Sequence, residues 1–443
     1  MPPTAVLTVA PTGRKSRELR LAYAGDVGLT VTGATLDGEP VGLRAADGRI
    51  VELGAGVAPA DGDEVIEAGG MALVPGFVNG HTHAGMTLFR GYADDLPLME
   101  WLQEHIWPVE KRMSGEDVYW GTRLACVEMI RSGTTSFWDM YWHADAAARA
   151  VEDAGVRAVA AAPLIDDGDP EKSERACADA DRSLEPIREA AGGLARPGFA
   201  PHAIYSLSER SLRWVAERGQ ELGVPVQIHL SETEDEVERC LAEHGVRPAH
   251  YLDSCGFLNA TTVLAHGVWL DESELELIAE RGATVVTNPV ANLKLAVGGP
   301  FPYLAARERG VAMGLGTDGP GSNNSLDIVD DMKAFALLQK NEARDPAAVT
   351  AGETLALARG ERSPLLSRPA LAAGAPADFL LVRSDSPELS LGALDAGLVY
   401  AASGAVVDAT VVAGRVLMRG GVVPDEAEVV AKARERAAAL GLA

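Results

Sequence analysis

The sequence predicts an α/β protein: a (β/α)8 TIM-type barrel with a small β-sandwich domain formed by both termini. Three observations carry this. The middle of the 443-residue chain alternates short apolar segments with Ala-, Glu-, Leu- and Arg-rich ones, eight times over. Both ends read as β hairpins. Histidines and acids stand at the ends of the apolar segments, where a barrel of this class keeps its chemistry.

Residues up to about 25 lack periodicity and read as poorly structured. Gly28–Thr32, Val41–Arg44 and Arg49–Leu53 then alternate, with Asp47-Gly48 as a tight-turn signal between the last two. The pattern returns late in the chain, at Ala377–Val382 and at Ala409–Val412 and Arg415–Met418, joined by Ala413-Gly414. The candidate inner strands are Ala72–Val78, Thr134–Trp138, Arg157–Ala161, Gly198–Pro201, Val224–Ile228, Thr262–Ala265, Thr284–Thr287 and Ala312–Gly316. Near-continuous apolar strands alternating with helices indicate a parallel sheet covered on both faces. With eight repeats, closure is the economical arrangement. The expected division is residues 1–70 and 366–443 for the terminal domain, the latter with a terminal helix, and 71–365 for the barrel.

The formal net charge is −25, which disfavours nucleic acid and anionic membranes but not an uncharged nucleoside. No apolar run approaches the 18 residues of a membrane span, and no apolar segment follows the basic residues at the N-terminus. The four cysteines (Cys126, Cys177, Cys240 and Cys255) form no CxxC pair and read as free thiols. The expected location is the cytoplasm.

The first inner strand leads into Asn79-Gly-His81-Thr-His83. Alternate strand residues share a face, so His81 and His83 present two imidazoles together. The fourth strand ends at His202, the fifth in His229-Leu-Ser-Glu232, the sixth in His266 and the eighth in Asp318. One such histidine would read as core or surface; five of the nine at one barrel face do not. Imidazoles plus a carboxylate suit zinc first and ferrous iron second. His81, His83, His229 and Asp318 are the candidate ligands of one divalent metal ion. Such an ion lowers the pKa of water towards about 7, and Asp318 can take the water's proton. Glu232, three residues past His229, suits a general acid, although a carboxylate opening a helix is its plain structural alternative. His266 is placed to polarise or orient the attacking oxygen. The fourth strand offers His202 and no lysine that could bridge two ions, which favours one metal.

At these residues the chain resembles the amidohydrolase superfamily, and within it the branch of S-adenosylhomocysteine/5′-methylthioadenosine deaminases and chlorohydrolases. The matching segments are Pro75–Gly91, Gly133-Thr-Thr, His229–Thr233, Asn288–Leu295 and Gly316–Ser325. The resemblance implies deamination of an adenine ring, with Glu232 protonating a ring nitrogen. It also implies substrate contacts from Trp101, from Glu110 in Pro108-Val-Glu110 to the ribose hydroxyls, and from His202. Family members are often homo-oligomers, so self-association is left open. The chain departs from the family in His202-Ala-Ile204-Tyr205, in a longer Ala296–Tyr303 loop, and in Ala161-Ala162-Pro163, where some members carry a carboxylate-binding arginine. Lys172 and Arg175 are the candidates to replace that arginine. The 5′ substituent is therefore the open part. Other readings are another N-heterocycle (guanine, 8-oxoguanine, a pterin, a triazine or an aminodeoxyfutalosine-like nucleoside) and, remotely, a metal-free scaffold.

Overall fold

Alternation along Phe379–Arg383 sorts its side chains onto two faces. Phe379 and Leu381 join a core that draws its residues from the terminal sheet and the loops beside it, with Leu29, Val31, Leu43, Ile50 and Val411. Leu380 and Val382 face the other way, into the main core. The computed structural model describes residues 28–190 and 192–442, so the expectation for the first 25 residues lies outside the described residues.

The terminal strands form one eight-stranded sheet, running Arg415–Met418, Val407–Val412, Phe379–Arg383, Met71–Pro75, Leu29–Leu36, Glu39–Ala46 and Arg49–Gly54, with Glu64–Glu67 also on Leu29–Leu36. Its hairpins turn at Asp37-Gly38, Asp47-Gly48 and Ala413-Gly414, and both residues of each pair have positive φ. That is the backbone sign of the tight turn that the Asp-Gly pair predicts.

The inner strands pair in parallel. Phe77–Thr82, Thr134–Met140, Arg157–Ala161 and Ala195–Pro197 form one run. Val226–Leu230, Thr262–His266, Thr284–Thr287 and Ala312–Leu315 form the other. The bridges Phe199–Val226 and Ala203–His229 join the two runs. The last strand lies beside the first, where the Asp318 amide donates to the His81 carbonyl at 3.0 Å. Helices follow the strands, among them Gly115–Arg131, Ala144–Ala154, Pro170–Ala190, Glu209–Leu222, Glu234–His244, Glu272–Arg281 and Ile328–Ala343. The fold is α/β with parallel inner and mixed terminal sheets.

Two expected strands are each split. Ala72–Val78 becomes Met71–Pro75, in the terminal sheet, and Phe77–Thr82, among the inner strands. Gly76 alone separates them, and a Cβ there would lie 2.2 Å from the Thr135 hydroxyl. The fourth, expected over Gly198–Pro201, starts earlier and is two short pieces, Ala195–Pro197 and Ala200–Pro201, on either side of Gly198-Phe199.

After the first inner strand the chain runs through Leu98–Glu100, a π-helical turn over Trp101–Ile106, and Trp107–Glu110. Such turns are uncommon and occur often at functional sites. The last helix, Glu426–Leu440, packs against Gly115–Arg131 and is tied down by Arg436 Nε on Asp117 at 2.7 Å and by Arg112 on the Leu440 carbonyl at 3.0 Å. No helix among the described residues is long and apolar enough to cross a membrane.

Candidate active site

His81, His83, His229 and Asp318 meet at the C-terminal ends of the first, fifth and eighth inner strands, with one donor atom from each lying within 4.8 Å of all the others. His83 Nδ1 donates to the Met140 carbonyl at 2.6 Å, and His229 Nδ1 to the His202 carbonyl at 2.7 Å. A carbonyl can only accept, so Nδ1 carries the hydrogen in both rings. Their Nε2 atoms then face each other at 3.3 Å. Asp318 Oδ1 is 3.1 Å from His83 Nε2 and 3.3 Å from His81 Nε2. His81 is fully buried, and neither of its ring nitrogens has a hydrogen-bond partner.

Lone pairs aimed at one point need a proton or a cation between them. Two ligands each about 2.1 Å from one ion at a near-tetrahedral angle sit roughly 3.4 Å apart. The arrangement therefore fits a metal ion. Burial lowers His81 to about 4 and holds His229 well below its ordinary value, which keeps both rings neutral and able to ligate. Burial also opposes charge on His83, but the Asp318 carboxylate outweighs it and raises the ring to about 9. Without a cation, a proton would hold that pair.

Glu232 is buried beside this group. Burial first, and the Asp318 carboxylate second, raise it to about 8. Its Oε1 is 3.8 Å from Nδ1 of His266. His266 is itself buried, pushed towards the neutral form by that burial, and hydrogen-bonded through Nδ1 to Asn292 Oδ1 at 2.8 Å. Ser322 donates its hydroxyl to Asp318 Oδ2, leaving Oδ1 to face the histidines. Ser231, His266 and Asp318 all have positive φ (49°, 74° and 61°). Non-glycine residues seldom adopt this conformation, and it clusters at active sites.

One pocket opens onto the group, about 700 Å3 when counted out to solvent, a size suited to a nucleoside. His83, Trp101, Glu110, His202, His229, Glu232, His266 and Asp318 line it, so eight of the nine expected residues share its wall; His81 lies buried beneath, beside His83 and His229. Glu110 is buried and its carboxyl is raised by that burial, although Tyr141 and Trp142 hydrogen-bond to it and pull the other way. Trp142 Nε1 donates to Glu110 Oε2 at 3.2 Å. Burial also lowers His202 to about 4. Neither candidate for the missing arginine reaches the pocket. Lys172 pairs with Asp167 at 2.8 Å on the surface, and Arg175 is exposed on the same helix.

The segment carrying Trp101 and Glu110, which forms part of the pocket wall, is tied down near its start. Lys294 Nζ donates to Asp94 Oδ1 at 2.7 Å, to the Gly321 carbonyl at 3.1 Å and to Asn324 Oδ1 at 2.9 Å. Asn324 Nδ2 completes the junction on Asp94 Oδ2 at 2.7 Å.

Sequence reasoning missed Tyr141, Trp142, Asn292, Ser322 and Glu236 as parts of the site. Asn292 and Ser322 stand inside segments already singled out, so the signal was there. Tyr141 and Trp142 follow directly on the second inner strand, and their position at its C-terminal end was the available clue.

Residues 72–417 match the model of the amidohydrolase family, and the chain belongs to that family. It is 46% identical over 379 residues to a 5′-deoxyadenosine deaminase of Methanoregula boonei, covering 85% of this chain and 86% of the relative. It is 41% identical over 429 residues to a 5-methylthioadenosine/S-adenosylhomocysteine deaminase of Desulforudis audaxviator, covering 95% and 98%. Among solved structures, an adenosine deaminase from Xanthomonas campestris with bound zinc superposes with a TM-score of 0.86 at 34% identity, covering 94% of this chain and 99% of that one. These likenesses give the chain a TIM-barrel-type α/β fold, and its histidine–aspartate group could hold a divalent metal ion.

Proposed function

We propose that this protein is a metal-dependent aminohydrolase that deaminates the adenine ring of 5′-modified adenosines, consuming water and releasing the inosine analogue and ammonia. One observation carries the reading: a buried carboxyl, Glu232, whose protonated form burial favours, stands beside a four-donor group able to hold a metal, in the pocket that Glu110 also lines. The names of the relatives point the same way.

His81, His83, His229 and Asp318 would hold one divalent ion, zinc before ferrous iron given imidazole-rich donors and the zinc-bound relative. When bound, such an ion acidifies a water at neutral pH. Asp318, held by Ser322, takes the proton that water gives up. Glu232 gives its proton to a ring nitrogen, so that the ring accepts the oxygen; Asp318 then passes its proton to the amino group, which leaves as ammonia, and the added hydroxyl returns a proton to Glu232 as the ring carbonyl forms. Neutral His266, fixed by Asn292, orients the attacking oxygen. Glu110 accepts the two ribose hydroxyls, as its two oxygens allow. Trp101 and His202 contact the substrate from the same wall.

The pocket wall also includes Leu98, Leu102, Ile106, Trp107, Ile165 and Leu295 and, among the described residues, no lysine or arginine. An amino-acid carboxylate would find no counter-charge there. The 5′ substituent is therefore apolar, deoxy or methylthio, in preference to homocysteine. For the scaffold, residues 71–365 make a closed eight-stranded barrel and both termini make the β-sandwich domain, a reading supported by the bridges between the inner strand runs and by the shared terminal core. Four buried free thiols fit a reducing cytoplasm.

The test is turnover of 5′-deoxyadenosine, methylthioadenosine, S-adenosylhomocysteine, adenosine, guanine and 8-oxoguanine by the metal-loaded enzyme, followed by ultraviolet shift and ammonia release. Preferred turnover of the first two is expected. Turnover of a free base with none of the adenosines would overturn the reading.

A further inference from the structure

Glu236 stands at the third position of the helix Glu234–His244, whose N-cap Thr233 accepts the Glu236 amide at 3.2 Å. A glutamate at this position ordinarily folds back onto the N-cap amide. This one reaches further. Its Oε1 accepts the Ser231 amide at 2.9 Å and its Oε2 accepts the Glu232 amide at 3.0 Å. The carboxylate spans two consecutive peptide groups, one of them Ser231 at φ 49°. Glu236 is buried, with no ion-pair partner among the described residues, and burial raises its carboxyl to about 8. A buried acid without a cation is unfavourable, and a simple helix cap would not require it.

The left-handed turn at Ser231 directly precedes Glu232, whose carboxyl lies 3.8 Å from His266. We propose that Glu236 is a positioning residue: its two oxygens clamp the Ser231–Glu232 backbone in this turn and so aim the Glu232 carboxyl at the substrate ring. The proposal rests on the deaminase reading and on Glu232 as proton donor. Glu236 itself touches no substrate and is absent from the pocket wall.

The test is steady-state kinetics of the metal-loaded enzyme with 5′-deoxyadenosine. Gln at position 236 offers one acceptor and sets an NH2 group against the other amide. Glu236→Gln should lower kcat by about ten- to a hundredfold, since displacement by an ångström can cost that much. KM should stay within about threefold and metal content should not change. Glycine adopts positive φ without help, so Ser231→Gly added to Glu236→Gln should restore most of the lost kcat. A kcat within about threefold of wild type for Glu236→Gln, or a loss that Ser231→Gly does not relieve, overturns the proposal. Should Glu236→Gln fail to fold, Glu236→Asp decides: its carboxylate is one methylene short of spanning both amides, so wild-type kcat would overturn the clamp and a kcat loss at constant KM would support it. Inactivity of the wild-type enzyme on every adenosine would instead sink the deaminase reading. Full activity of Glu232→Gln would sink the donor role alone.

Discussion

The roles proposed for the pocket side chains differ, and substitutions should separate them. His229→Ala should abolish activity and bound metal together, as read by metal analysis of the purified protein. Glu232→Gln should keep the metal and lose at least about a hundredfold in kcat, because only proton transfer is removed. The pH profile follows from the raised Glu232 carboxyl. An acid with pKa about 8 is protonated, and able to donate, below that value. The rate should therefore fall as pH rises through about 8, and a kcat profile flat from pH 7 to 9.5 would contradict the assignment. His83 gives the complementary sign. Raised to about 9 in the absence of metal, it carries a proton at pH 7 to 8 that a metal ion must displace. Loading zinc into the metal-free protein at pH 7.5 in weak buffer should release that proton. Glu110→Ala should raise KM for nucleosides by about ten- to a hundredfold, the worth of hydrogen bonds to a charged group.

At the scale of elements, the segment from Gly91 to Glu110, which lines the pocket, is anchored through Asp94 to Lys294 and Asn324. Lys294→Ala should raise KM severalfold, leave metal content unchanged and blunt the dependence of KM on salt. The element scale also shows what the sequence discloses and what it hides. The four candidate ligands are legible because polar residues end apolar strands, and because His81 and His83 keep strand spacing. The break at Pro75-Gly76 is hidden, since Ala72–Val78 is apolar throughout and only sheet pairing divides it. Glu236 is hidden for the opposite reason. It follows Glu234 and Asp235 in an acidic first turn, where all three look like helix-dipole partners. Only the fold shows that the third points inward. Tyr141 and Trp142 read as core aromatics, and their contact with Glu110 spans about thirty residues of sequence.

At the scale of the molecule, the terminal sheet is bonded into the catalytic unit rather than appended to it. Leu380 and Val382 enter the main core from one strand, and Thr410 donates to the Ile130 carbonyl at 2.7 Å. Met71–Pro75, in the middle of that sheet, leads through Gly76 alone into the strand that bears His81 and ends one residue before His83. One continuous stretch of backbone thus serves both bodies. Thermal disruption of the sheet would pull directly on two of the four candidate metal ligands. The protein should accordingly melt in a single calorimetric transition, with metal release coinciding with loss of the sheet, and a chelator should lower the temperature of the whole transition rather than of one part. The ion becomes a sensor of the far sheet: its escape rate, followed with a chromogenic chelator, would report how often the two ends of the polypeptide come apart.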